Sequence, residues 1–120
     1  MDKTLKMSIL LDFFSDLLTQ KQRDCFDLYY NENLSLSEIA EENGISRQAV
    51  RDLLMRTEKY LCELEEKTGV AERYLKRRAV VSEIQNDLDL VTVLNHEQLH
   101  SVELSELIEN MKNKLRDIEL

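Results

Sequence analysis

Leu36-Ser-Glu-Ile-Ala-Glu-Glu-Asn-Gly-Ile-Ser-Arg-Gln-Ala-Val-Arg-Asp-Leu-Leu-Met55 is the stretch on which the fold turns. Two helices that cross steeply over a short turn need a small residue where their backbones approach, and Ala40 supplies it. The turn needs a residue tolerant of positive φ directly after the first helix, and Gly44 sits four positions on. Ser35, with Glu38 three residues later, forms a capping box that opens the first of these helices. Ser46 is placed to cap the second and to leave its first turn pointing outward. Ile39, Ile45, Val50 and Leu53 then fall on the inner faces. This alanine, glycine and valine spacing is a helix-turn-helix pattern over residues 36–55. A plain αα-corner would ask for the same small residue and the same glycine.

In a docked helix-turn-helix the second helix enters the major groove with its N-terminal residues at base edges. Its outward positions here are Arg47, Gln48, Arg51, Asp52 and Met55. Arginine can fork onto guanine O6 and N7, and glutamine can do the same to adenine N6 and N7. Arg47, Gln48 and Arg51 are therefore the candidate base contacts. Lys21, Ser46, Arg56 and Lys59 are the candidate phosphate contacts, joined by the free amides at the start of the helix that begins near Gln20. Residues 45–60 carry four basic and two acidic side chains, a local excess of positive charge in an acidic chain. The bland alternative for Arg51 and Arg56 is a solvated helix face with Arg–Glu pairing.

Outward from this motif the chain reads as helix almost everywhere. Two glycines and no proline leave few breakers,. Leu5, Ile9, Phe13 and Leu17 recur at i+4, with Leu10, Phe14 and Leu18 widening the stripe, which predicts a first helix buried on a broad face. Thr19 and Gln22 form a capping box, so a second helix should start near Gln20 and carry Phe26, Leu28 and Tyr29 inward. Asn31-Glu-Asn33 is turn material. The helix capped by Ser46 should run to about Glu65, with Gly69 closing the connection. Beyond it Val81, Ile84, Leu88 and Val91, then Leu104, Ile108, Met111, Leu115 and Ile118, step by threes and fours. These narrow seams, separated by a break at Asn95-His96, must pair with each other, with the N-terminal helices or with another subunit. We read an N-terminal helical domain over 1–66 and a C-terminal helical hairpin over 67–120 as an interaction arm. A homodimer held by the seam residues or by the exposed part of the first helix would place two recognition helices on one duplex.

Composition narrows the function. The chain has 120 residues and a net charge of −8, which argues against a protein that coats nucleic acid indiscriminately,. Its longest stretch without an ionised side chain, Leu90 to His96, is far short of a membrane span,. Asp2 and Asp12 around Met7-Ser-Ile-Leu-Leu11 fit neither a signal nor a transit peptide, so the expected address is the cytoplasm. Cys25 and Cys62 form no CxxC and sit among apolar neighbours, as core thiols do. No nucleophile–base pair, glycine-rich phosphate loop or carboxylate pair in a cleft is visible, so neither an enzyme nor a cofactor is expected.

Two motifs compete for attention. His96-Glu-Gln-Leu-His100 matches the zinc-protease helix motif, but a third ligand is wanted on a later helix and only Glu119 lies far enough on. Two surface histidines in the first turn of a helix capped by Asn95 is the simpler reading, with no metal. Arg73-Tyr-Leu-Lys-Arg-Arg78 is the densest basic run and could touch phosphates. It could equally be a solvated face balanced by Glu63, Glu65, Glu66 and Glu72.

From Leu17 to about Leu64, with Leu18-Thr-Gln-Lys-Gln-Arg23 and Leu36-Ser-Glu-Ile-Ala40…Gly44-Ile-Ser-Arg-Gln-Ala-Val-Arg51, the chain resembles sigma-70 region 4. With the first helix and Arg56-Thr-Glu-Lys-Tyr60 added, residues 1–70 resemble the YlxM family of small helical proteins. The resemblance implies an all-α fold of the winged-helix-like DNA-binding superfamily, without a wing and with a C-terminal helical extension. It implies a DNA-binding regulatory protein, with Arg47, Gln48 and Arg51 where contacts to a −35-like element would be made. It also implies a tie to the signal recognition particle, whose GTPase and receptor genes adjoin those of the family. The alternative function is then an accessory protein that binds the particle's RNA or GTPase rather than DNA. Asp52 departs from the pattern by placing a negative charge on the reading face, and nothing resembles a promoter-melting region.

Overall fold

The computed structural model describes residues 2–118. Among them six α-helices follow one another: α1 (Lys3–Phe14), α2 (Gln20–Tyr30), α3 (Leu36–Asn43), α4 (Arg47–Thr68), α5 (Val70–Leu94) and α6 (Val102–Arg116). A 3-10 turn covers Ser15–Leu17 and a π-helical turn covers Asn95–Leu99. The fold is all-α, with no strand among the described residues. The chain divides into two compact units, one ending at Ala71 and the other beginning at Glu72.

The first unit closes around Phe26, Ile39, Val50 and Leu61, which have no solvent exposure. Helix α1 joins them through Met7, Leu10, Leu11 and Phe14, the i, i+3, i+4, i+7 set of one face,. Of the expected stripe Leu10, Phe14 and Leu18 are buried and Ile9 and Phe13 half-buried, but Leu5 and Leu17 are exposed. The α-helix ends at Phe14 in a 3-10 turn, so the four-residue row is broken before Leu17, and Leu18 is buried instead. Both halves of the Thr19–Gln22 capping box form, and they set the start of α2. Tyr29 does not turn inward as expected; it is 37% exposed. Phe26 and Tyr30 share a face at i, i+4, and their rings lie 4.6 Å apart,.

The Tyr30 hydroxyl donates to Glu58 at 3.0 Å. Lys3 pairs with the same carboxylate at 3.0 Å, so one glutamate ties α1, α2 and α4 together. Burial, then the charge and hydrogen bond of Glu58, push the Tyr30 hydroxyl well above the ordinary tyrosine range,. Cys25 is buried and its thiol is pushed up by burial, against a smaller lowering from Lys21. Cys62 is half-buried against the same core, and both thiols are free. Helix α4 runs about one turn past the expected Glu65 and stops at Gly69, whose φ is 62°. The Glu65 carboxylate reaches the next helix and accepts the Ala71 amide at 2.9 and 3.1 Å.

In the second unit α5 and α6 run antiparallel. Asp89 pairs with Lys112 at 3.2 Å, and Asn95 donates to the Ser105 hydroxyl at 2.8 Å. The turn corrects the expectation of a break at Asn95-His96 followed by a helix capped by Asn95. The chain instead continues as a π-turn to Leu99 and reverses at His100, whose φ is 52°. Ser101 caps the next helix by accepting the Leu104 amide. Asn95 is buried, and its side chain replaces the missing ladder: it donates to the Ser101 carbonyl at 2.9 Å and accepts the Ser101 amide at 2.8 Å. His96 and His100 thus border an open cavity at a chain reversal rather than one face of an α-helix. Glu119 lies outside the described residues. Of the two expected seams, Leu88 and Ile108 are buried and Val81, Val91, Leu104 and Leu115 half-buried. Ile84, Met111 and Ile118 are exposed, because two helices can cover only one narrow strip of each other.

Candidate nucleic-acid interface

The turn between α3 and α4 is built as its sequence requires. The Ser35 hydroxyl accepts the Glu38 amide and the Glu38 carboxylate accepts the Ser35 amide, each at 3.1 Å. The Ser35 backbone amide, and then its side chain, hold the Glu38 carboxyl below its usual range,. Gly44 takes the left-handed conformation at φ 64°, and the Ile45 amide reaches back to the Ala40 carbonyl at 3.1 Å, closing a Schellman-type stop. The Ser46 hydroxyl accepts the Ala49 amide at 3.0 Å. Ala40 is buried where the helices meet, and Val50, Leu54, Thr57 and Leu61 face the core. Thr57, a polar residue with no exposure, donates to the Leu53 carbonyl at 2.8 Å.

This inner row fixes what α4 shows outward. At about 100° per residue, Gln48, Asp52, Met55 and Lys59 lie opposite the buried row. Arg51 and Arg56 flank them on opposite sides, and Arg47 occupies the first turn beside the Ser46 cap. All seven side chains are exposed, Met55 by 56%. The helix therefore presents Arg47, Gln48 and Arg51 together on the exposed side of its first two turns. Arg56 and Lys59 follow one and two turns on. Lys21 is exposed on the first turn of α2. Ser46 is engaged as a cap, and the Gln22 amide is taken by Thr19 at 3.2 Å, so it is not one of the free amides at that helix start.

One relationship went unread in the sequence. The Gln48 amide donates to the Asp52 carboxylate at 3.0 Å, and Arg56 Nε donates to the Asp52 carbonyl at 3.3 Å. The i, i+4 spacing of Gln48 and Asp52 was the available signal. The Asp52 charge thus lies on the outward face of α4, held by the glutamine expected at a base edge. No Arg–Glu pair involves Arg51 or Arg56 among the described residues. The basic run on α5 is engaged in part, through a Lys76–Glu72 pair at 3.1 Å. Among the described residues no helix is long and apolar enough to cross a membrane.

A family model described as "Putative helix-turn-helix protein, YlxM / p13 like" matches residues 1–102. A UPF0122 protein of Halalkalibacterium halodurans is 42% identical over 111 residues, which cover 92% of this chain and 95% of that one. UPF0122 proteins of Bacillus cereus strain AH187 and Bacillus anthracis strain A0248 are each 41% identical over 109 residues, covering 91% of this chain and 99% of theirs.

Proposed function

Because this chain belongs to the UPF0122 family of YlxM/p13-like helix-turn-helix proteins, we propose that it binds DNA in a regulatory role, with α4 as the reading helix. The observation that carries the proposal is the exposed start of α4, fixed by the Gly44 turn and the Ser46 cap, with Arg47, Gln48 and Arg51 all exposed. In this reading Arg47 and Arg51 bond guanine edges and Gln48 an adenine edge. Lys21, Ser46, Arg56 and Lys59 hold the phosphates. The unit ending at Ala71 does the reading, the second unit is an interaction arm, and a homodimer brings two α4 helices to one duplex. The protein is a binding module with no catalytic role, working in the cytoplasm.

One observation favours a second reading. The middle of the outward face of α4 holds Asp52 and Met55, in a chain of net charge −8. Such a face suits a protein surface better than a phosphate backbone, and the signal recognition particle, with its GTPase and its RNA as separate targets, is the partner to test.

The experiment selects duplexes from a random pool. It then titrates the wild type and an Arg47→Ala/Gln48→Ala/Arg51→Ala variant by fluorescence anisotropy at ~150 mM salt, with the particle as a parallel target. Selective binding that falls at least tenfold in the variant is expected. Wild type without DNA selectivity, alongside particle binding that survives the triple substitution, would overturn the proposal.

A further inference from the structure

Helix α5 carries a second seam besides the one that faces α6. Arg73, Arg77, Val80, Ile84, Asp87 and Val91 follow one another at steps of four, three, four, three and four, the a and d positions of a two-stranded coiled coil,. All but Val91 are exposed, Val80 by 54% and Ile84 by 41%. The strip used inside the hairpin is a neighbouring one, through Leu88 and Val81. Of fifteen large apolar residues exposed among the described residues, ten lie in the unit that begins at Glu72, so this unit does not hide its own apolar surface,.

The seam is complementary to itself in one direction only. Antiparallel coiled coils pack each a position against a d position of the other helix. The alignment that sets Val80 against Ile84 of a second copy also sets Arg77 against Asp87, and the two-fold repeats both layers. Two apolar layers lie at the centre, with an Arg–Asp layer on each side and, at each end, Arg73 against Val91, where the arginine stem can cover the valine and its head reach water,. A parallel alignment would face Arg77 with Arg77 and Asp87 with Asp87. A slip of one heptad either way would set Arg77 against Leu94 or Val80 and would lose both Arg–Asp layers, leaving Asp87 without a cation across the seam,. Among the described residues neither Arg77 nor Asp87 has an ion-pair partner in its own chain. We propose that this face of α5 is a homodimer interface, occupied by α5 of a second copy of this chain in the antiparallel register that pairs Val80 with Ile84 and Arg77 with Asp87. The inference deepens the homodimer of the functional reading above, and is tested without DNA so that either can fail alone.

The test is sedimentation equilibrium of the full chain over a concentration series, with circular dichroism to confirm that each variant is folded. The wild type is expected to dimerise, and Arg77→Asp or Asp87→Arg alone to raise the dissociation constant at least tenfold. The double variant Arg77→Asp/Asp87→Arg should recover wild-type association, since each layer re-forms with its signs exchanged. Ile84→Asp should give a folded monomer. A monomeric wild type, a dimer untouched by Ile84→Asp, or a double variant as weak as the single ones would each overturn the proposal.

Discussion

The two compact units solve the problem of helix packing to different degrees. The first buries thirteen apolar residues in one cluster, contributed by α1 to α4 and the start of α5. Among the described residues the second buries two, Leu88 and Ile108, and it rests its turn on a polar side chain. The first unit stops α3 and α4 with glycines at φ 64° and 62° and turns after α2 through Asn33 at φ 57°, whereas the second turns at a histidine at φ 52°. Four helices can enclose residues on all sides, while two can only share a strip. Such a hairpin must be held by specific hydrogen bonds or by something outside itself.

That contrast can be broken at its strongest point first. Phe26→Ala should cost about 3–5 kcal/mol, measured by urea unfolding, because the ring is enclosed from several helices. Ile108→Ala should lower hydrogen-exchange protection in α5 and α6 and leave the amides of α2 as protected as before. Equal loss in both regions would show that the units do not differ in the way their burial suggests. Next in size, Asn95→Ala should cost about 1–3 kcal/mol in the local opening of the hairpin, read from the exchange of α6 amides. The substitution strands the Ser101 amide and carbonyl at a tight reversal. If the hairpin keeps its protection, the polar hinge is not what holds it.

A smaller effect sharpens the account of the first unit. An unfolded tyrosine ionises near pH ~10, whereas the folded Tyr30 is held protonated well above that. Between those values the unfolded chain has lost a proton that the folded chain keeps, so stability is full below pH ~10 and falls as pH rises. Tyr30→Phe should remove that component of the alkaline slope and cost about 1 kcal/mol near neutrality through the lost bond to Glu58. Lysines titrate in the same range, so the comparison is between variant and wild type. Parallel slopes in the two proteins would show that Tyr30 makes no contribution.

Legibility followed the same division. Capping boxes, the Gly44 turn and the small Ala40 are local rules, and each was readable because its energetic cause lies within a few residues. Which of two adjacent rows faces the core is not local. Leu5 lost to Met7 and Leu11 because the core takes one row of α1, Leu17 fell outside it because a 3-10 turn at Ser15 re-phases the chain, and Tyr29 lost to Tyr30 because Phe26 and Glu58 sit on one side. The π-turn was hidden too, since its support is a side chain bonding forward across the reversal to Ser101 and Ser105. On α4 the outward row followed from periodicity, but the coupling of Gln48 to Asp52 emerged only with both rotamers in place.

Asp52 has a consequence that concerns the sequences a reader ignores. A negative charge among the outward residues of a reading helix makes every phosphate a worse neighbour, whatever the bases beside it. That weakens adhesion to bulk genome, which presents vastly more decoys than targets, and the ratio of target to decoy affinity governs occupancy in a cell. A cytosine amino group, by contrast, is a donor that a carboxylate can accept. On the functional reading proposed here, the Gln48–Asp52 pair would act as a tax on indiscriminate binding that is refunded only at a matching site.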